Sequence, residues 1–222
     1  MNIDFIPRII SSGDWATLIF ILTFGLLTVN RNVFAVRFHD YIRLIYSDKY
    51  IKIHKDTNNL KSWFTISMFI VQLISYSFII HILLSYVNYN SLNSFIDFLK
   101  IFNFLTFFIL GKYLIEKIVA NLFNFENFIE QYNLIKVNYR TYLGLILLPI
   151  AMFLFYSKNQ EINIIYVLLS IFLITNLIMF STILKNHQKS IQKHILYFIL
   201  YLCTLEIAPY LLIYKFLAFS KS

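Results

Sequence analysis

The sequence predicts an all-α, polytopic membrane protein with about six transmembrane helices and one cytoplasmic interfacial amphipathic helix. Hydrophobic residues make up 59% of the 222 residues and charged residues 14%, whereas a soluble domain is about 45–50% apolar and about 25% charged. A chain of this length leaves much of its surface exposed after folding, so the excess apolar surface needs lipid around it. The apolar runs are continuous rather than alternating, which favours helices over the strands of an outer-membrane barrel.

Six apolar runs approach or reach the length of about 20 residues that a helix needs to cross a bilayer. They make the whole chain, residues 1–222, a single integral membrane domain. The runs cover residues 15–30, 63–86, 95–119, 142–156, 162–184 and 195–218. The first run is short, although Trp15 at its start is a suitable interfacial anchor. If this run does not insert, five spans remain and the N-terminus lies in the cytoplasm.

The basic residues are concentrated in three regions that alternate with regions of few charges. Residues 31–61, 112–140 and 185–193 together hold 14 of the 19 lysines and arginines. Because basic loops are retained in the cytoplasm, this alternation predicts six spans with both termini outside the cytoplasm. The net charge of +8 follows from this topology, and we therefore expect no nucleic-acid binding.

Residues 34–46 have the pattern of an amphipathic helix. Apolar side chains recur in this segment at helical spacing, at Phe34, Phe38, Ile42 and Ile45. Arg37, Asp40 and Arg43 fall on the opposite side. We expect this helix to lie on the cytoplasmic membrane surface, with anionic lipid bound at Arg37 and Arg43. The alternative is a docking helix for a partner protein.

Three segments resemble a known family. They are residues 111–114 (GKYL), 142–149 (YLGLILLP) and 196–215 (LYFILYLCTLEIAPYLLIYK). Together they resemble an uncharacterised family of multi-pass inner-membrane proteins from Bacteroidota, domain of unknown function 4271, over roughly residues 31–217. The resemblance implies a location in the inner membrane of a didermal bacterium. Combined with the orientation predicted from the basic residues, this location predicts that both termini lie in the periplasm. It implies no activity and no catalytic residue.

Glu206 is a carboxyl group near the middle of the sixth run. A carboxylate is unfavourable in hydrocarbon, so we expect Glu206 to face the protein interior. Pro209 has no N–H and leaves the carbonyl of Leu205 free, so the two groups could hold a proton, a cation or a polar head group. The alternative is that Glu206 joins two helices. By depth along its helix, Glu206 is predicted to contact Lys112.

Further charged residues lie near the inner ends of the third and fourth runs. Lys112 and Glu116 are four residues apart on one helix face, so their side chains can interact. For Lys112, snorkelling to the membrane interface is the alternative. Arg140 and Lys136 are placed where lipid head groups would lie, although basic residues are expected there from topology alone.

The sequence contains no phosphate-binding loop, nucleophile elbow or zinc-binding His-Glu-x-x-His pair. We predict no catalytic residue, no cofactor and no metal, since His81 and Asp97 have no second ligand pair beside them. The leading hypothesis is a non-enzymatic accessory or scaffold subunit of an inner-membrane complex, with a membrane-protein partner. The first alternative is a small carrier or channel-like protein that uses Glu206 to move a proton, an ion or a lipid-linked group. The second alternative is a membrane-embedded enzyme that binds a lipid substrate at Arg140.

Overall fold

The computed structural model of the chain describes residues 14–42, 62–86, 91–122 and 126–157, together with Ser170. These residues form five helices and no strand, which confirms the all-α prediction for this part of the chain. The helices are α1 (Asp14–Val33), α2 (Ala35–Ile42), α3 (Trp63–Tyr86), α4 (Phe95–Leu122) and α5 (Glu126–Tyr156). The predicted spans 162–184 and 195–218 lie outside the described residues, apart from Ser170.

Four of these helices are long and apolar enough to cross a membrane. They are α1, α3, α4 and the part of α5 from Asn133 to Tyr156. Their length and composition support a membrane protein. The total of six spans and the orientation stay predictions.

Helix α5 begins well before the apolar run that predicted it. The fourth run was expected over residues 142–156, whereas α5 starts at Glu126 and contains 31 residues, or about 46 Å of helix at 1.5 Å per residue. Residues 126–141 mix polar and apolar side chains, so hydropathy does not mark them as part of a span. They contain no proline or glycine, so nothing in the backbone ends the helix there.

The helices run alternately up and down, as the contacts of Trp15 show. Its ring lies 5.9 Å from the ring of Phe78 near the end of α3, and 5.2 Å from Phe98 near the start of α4. It also lies 5.8 Å from Phe155 at the end of α5. The start of α1, the end of α3, the start of α4 and the end of α5 therefore share one side of the bundle, which we call the Trp15 end.

Helix α3 is the centre of the bundle, since α1, α4 and α5 all pack against it, α5 most extensively. The crossing of α3 and α5 depends on Gly144. A Cβ atom at Gly144 would lie 2.7 Å from the Cα of Gln72 and 3.0 Å from its Cβ. Only glycine therefore permits this close approach of the two backbones, as at many helix contacts in membranes.

The opposite side of the bundle, which we call the Tyr41 end, has its own apolar cluster. It contains six buried residues from α2, α3, α4 and α5: Tyr41, Phe64, Met68, Ala120, Leu134 and Ile135. By the distribution of basic residues, this end is predicted to face the cytoplasm.

Helix α2 covers the first part of the predicted amphipathic segment 34–46, and residues 43–46 lie outside the described part. It packs on the bundle, because Tyr41 is 1% exposed while Phe34 and Phe38 contact the cluster of the Tyr41 end. The guanidinium of Arg37 lies 5.0 Å from the ring centre of Phe64, a cation–π contact. Lipid binding at Arg37 and Arg43 stays a prediction, with Arg43 among the residues not described.

Candidate functional site

A buried ion pair joins α4 to α5 near the Tyr41 end. The Nζ of Lys136 donates a hydrogen bond to Oε1 of Glu116 at 2.6 Å, and the two side chains are only 4% and 2% exposed. Each charge alone would be costly at such a position, because burial removes its hydration. The short charge-assisted bond compensates both charges and fixes the contact between the two helices.

The depth of this pair in the membrane follows from two exposed lysines of α4. Lys100 and Lys117 are exposed and 17 residues apart, a separation of about 25 Å at 1.5 Å per residue. Long basic side chains reach outward to the interface, so these two lysines mark the approximate limits of the hydrocarbon layer. Glu116 then lies close to the limit marked by Lys117, on the side of the Tyr41 end.

Lys112 is a second buried cation on the same helix. Lys112 is only 7% exposed and lies one helical turn before Glu116. It lies five residues from Lys117, which places it about 7.5 Å deeper in the hydrocarbon by the same rise per residue. We refer to Lys112, Glu116 and Lys136 as the inner charge cluster.

Sequence spacing identified Lys112 and Glu116 but missed the partner that Glu116 takes. Their spacing indicated that the side chains of Lys112 and Glu116 can interact, and in the structure the carboxylate of Glu116 binds Lys136 on α5. Lys136 was interpreted only as a basic residue near the head groups. The missing signal was the helical continuity of residues 126–141, which carries Lys136 into the bundle and turns it towards α4.

The turn of α5 that follows Lys136 is held by the hydroxyl group of Tyr41. This hydroxyl donates to the backbone carbonyl of Asn138 at 3.0 Å and shares a hydrogen bond with the hydroxyl of Thr141. Asn138 and Thr141 are themselves buried. Helix α2 is therefore attached to the same part of α5 that carries the ion pair.

Arg140 lies one turn after Lys136 and is half-buried. Its backbone carbonyl accepts a hydrogen bond from the hydroxyl of Tyr76 on α3, at 3.3 Å. A role for Arg140 at lipid head groups stays a prediction. Glu206, the other predicted intramembrane site, lies outside the described residues.

The Trp15 end carries polar groups of a different kind. The Nε2 of His81 lies 3.0 Å from the carbonyl of Leu92, and the indole N–H of Trp15 donates to the carbonyl of Asn93 at 3.2 Å. Asp97 pairs with the exposed Lys100 at 3.0 Å. In the described residues no three His, Cys, Asp or Glu side chains lie close enough together to hold a metal ion.

A protein-family model matches residues 16–217 of the chain. The matched region runs from α1 through all five described helices and extends past them towards the C-terminus. The matching family model is described as a domain of unknown function, DUF4271. The chain belongs to the DUF4271 family. The match begins earlier than the resemblance recognised from the sequence and includes α1. No curated protein and no solved structure matches the chain.

Within this DUF4271 protein, the inner charge cluster can do two kinds of chemistry. As a closed ion pair, Glu116 and Lys136 act as a fixed link between α4 and α5. If a proton reaches Glu116, its carboxyl group becomes neutral, and the ion pair becomes a hydrogen-bonded contact between the Lys136 ammonium and a neutral carboxylic acid, with one net positive charge. Carboxylates within membrane helices serve in proton relays by this change. The same geometry therefore fits a structural role and a proton-carrying role, and different measurements separate them.

Proposed function

We propose that this DUF4271 protein is a non-catalytic accessory or scaffold subunit of a membrane complex, located in the inner membrane of a didermal bacterium such as the Bacteroidota. The observation that supports this most directly is the ion pair of Glu116 and Lys136. The two most deeply buried charges of the described residues are bound to each other at 2.6 Å, so they hold α4 and α5 together.

The exposed surface of α4 also supports a role in assembly. Only four of the 28 residues of α4 are buried: Phe98, Lys112, Glu116 and Ala120. The other faces of this helix are apolar over much of their length, with Phe107 79% exposed. Lipid covers such a surface by default, and a membrane-protein partner can replace the lipid without exposing polar groups.

The test is purification of the tagged full chain from native membranes after crosslinking. We expect one or more membrane proteins to co-purify in a constant ratio. The matched variant is Glu116→Gln with Lys136→Met, which removes the charges and keeps similar side-chain volumes. A scaffold retains its partner in this double variant as long as the bundle is folded. A wild-type chain that is recovered without any partner would contradict the proposal.

The alternative function is a small carrier for a proton or an ion, and one observation favours it specifically. Glu116 is a carboxyl group that is only 2% exposed on a helix long and apolar enough to cross a membrane. Carboxyl groups within membrane helices serve in proton relays. We propose that Glu206, which the sequence places in the sixth predicted span, is a second carboxyl group of this carrier.

Proton flux into proteoliposomes that contain a pH-sensitive dye tests this alternative. A carrier gives flux in the wild-type chain, and that flux is lost in Glu116→Gln with Lys136→Met although the variant stays folded. A scaffold gives the same background flux in both proteins. Glu206→Gln serves as the second variant, since it removes the proposed proton site without changing the residues of the described ion pair.

A further inference from the structure

His81 is a titratable side chain that lies fully inside the Trp15 end of the bundle. Its exposed fraction is 0%, and its ring centre lies 6.2 Å from that of Trp15 and 6.2 Å from that of Phe98, both in T-shaped arrangements. Phe98 precedes Lys100 by two residues, towards the Trp15 end. His81 therefore lies about level with the limit of the hydrocarbon layer that Lys100 marks. Water is close to this ring, although the bundle covers it.

The two ring nitrogens of His81 have different surroundings. Nε2 lies 3.0 Å from the backbone carbonyl of Leu92. A carbonyl only accepts hydrogen bonds, so this contact assigns the proton of the neutral ring to Nε2 and the lone pair to Nδ1. Nδ1 is buried and has no hydrogen-bonding partner among the residues that the structure describes. It is the atom at which the ring would take up a second proton.

His81 and Trp15 together hold the loop between α3 and α4. The indole N–H of Trp15 donates to the carbonyl of Asn93, which directly follows the carbonyl that His81 binds. The loop leads into α4 through an N-cap, because the hydroxyl of Ser94 accepts a hydrogen bond from the backbone N–H of Asp97 at 3.3 Å. The start of α4 is thus held in place by two side chains, of which only His81 can change its charge.

We propose that His81 is a proton-operated latch on this loop, so that the neutral ring holds the loop closed and uptake of a proton at Nδ1 releases it. A charged ring at 0% exposure would have one N–H without an acceptor, and burial of an uncompensated charge is unfavourable. An open loop gives the ring access to water, where histidine changes its charge between about pH 8 and about pH 5. Because the open form binds the proton better than the closed form, acid shifts the population towards the open form.

Other titratable or charged side chains lie at the same end of the bundle, namely Asp14 on α1, Tyr86 on α3, Asp97 and Lys100 on α4, and Tyr156 on α5. Asp97 and Lys100 are bonded to each other at 3.0 Å, so this pair carries no net charge to offset a charged ring. None of these side chains bonds to Nδ1. By the predicted orientation, the latch responds to the pH outside the cytoplasm. It does not depend on the scaffold function.

The mobility of a spin label in the loop tests the latch, measured by electron paramagnetic resonance on the full chain in lipid nanodiscs. The label is attached at Ser91→Cys in a Cys203→Ala background, since Ser91 is exposed in the loop. We expect a spectrum of restricted motion at about pH 8 and a reversible change to fast motion at about pH 5, the range in which histidine changes its charge. The same spectrum at both pH values would overturn the proposal.

Two variants of the labelled chain separate His81 from other titrating groups. His81→Gln keeps a donor for the carbonyl of Leu92 but takes up no proton in this pH range, so its label should stay restricted at both pH values. His39→Gln is the matched control, because His39 is exposed on α2, and it should respond to pH as the unsubstituted chain does. A full pH response in His81→Gln, or loss of the response in His39→Gln, would also overturn the proposal.

Trp15→Phe changes the other side chain that holds the loop. It removes the hydrogen bond to Asn93 and leaves His81 in place, so closure then depends on His81 alone. The label should move faster than in the unsubstituted chain at about pH 8 and still become more mobile at about pH 5. A folded Trp15→Phe chain whose label does not respond to acid would contradict the latch, whether or not His81→Gln folds.

Discussion

Replacing Gly144 by alanine tests whether the close crossing of α3 and α5 holds the bundle together. The new methyl group would lie 2.7 Å from the Cα of Gln72, whereas carbon atoms in van der Waals contact are about 3.5–4.0 Å apart. The nearest atom belongs to the backbone and cannot rotate away, so the two helices must separate by about 0.8 Å at least, the shortfall from that contact distance.

The cost of this separation falls on the apolar contacts beside the crossing. A gap of about 0.5–1 Å removes a quarter to a half of the dispersion energy of each contact. Overpacking of a core destabilises a protein by about 1–3 kcal/mol. For a chain of this length, about 2–4 °C of thermal midpoint corresponds to each kcal/mol. We therefore expect Gly144→Ala to unfold about 2–12 °C below the wild type in mild detergent, as followed by circular dichroism.

Gly111→Ala is the matched control, since a Cβ at Gly111 would meet nothing within 4 Å. It is expected to be neutral or slightly stabilising, because alanine favours a helix over glycine by up to about 1 kcal/mol. A second variant, Gly144→Ala with Gln72→Ala, should recover little stability, because the Cα of Gln72 remains in place. Equal midpoints for Gly144→Ala and Gly111→Ala would refute the reasoning.

Three further predictions concern the Tyr41 end and the topology. Glu116→Gln alone should destabilise the protein by about 3–5 kcal/mol, since it leaves the Lys136 charge without its carboxylate. The double variant Glu116→Gln with Lys136→Met should lose clearly less stability, because neither charge remains. Additive losses of stability in thermal unfolding would contradict this prediction. Tyr41→Phe should cost about 1 kcal/mol through the lost hydrogen bond to Asn138, with Tyr113→Phe, at a half-buried residue on α4, as the control. Periplasm-specific reporters fused at Ser222 or near Tyr89 should be active, and activity of a cytoplasm-specific reporter at Ser222 would overturn the topology.

The sequence was informative where a helix and an apolar run coincide. The run predicted at 63–86 corresponds to α3, Trp63–Tyr86, because the segment is long and predominantly apolar and has an aromatic residue suited to the membrane interface at each end. For α5 the run begins at residue 142 and the helix at Glu126. Hydropathy measures affinity for lipid, whereas α5 continues through residues where the polar side chains of Asn133, Lys136 and Asn138 are buried in the bundle.

The candidate site was predictable only in part, for a related reason. Helical spacing shows which residues share a face, so it pointed to Lys112 and Glu116 on α4. The partner of Glu116 is Lys136, 20 residues away on another helix, and no local pattern encodes that contact. The importance of Gly144 could not be predicted either. A glycine within an apolar run looks the same in the sequence whether it lies at a close helix crossing or on an exposed helix face.

The ion pair explains how α4 can have a defined orientation although most of its sides are apolar. Apolar side chains pack almost equally well against lipid and against other helices, so they do not determine which face of α4 turns inward. Glu116 determines which face turns inward, because only one rotation of α4 about its axis brings Glu116 to Lys136. That rotation turns Asn103 outward, since it lies about 220° from Glu116 at 100° per residue. A buried pair that contributes little net stability can thus still specify which face of α4 turns towards α5.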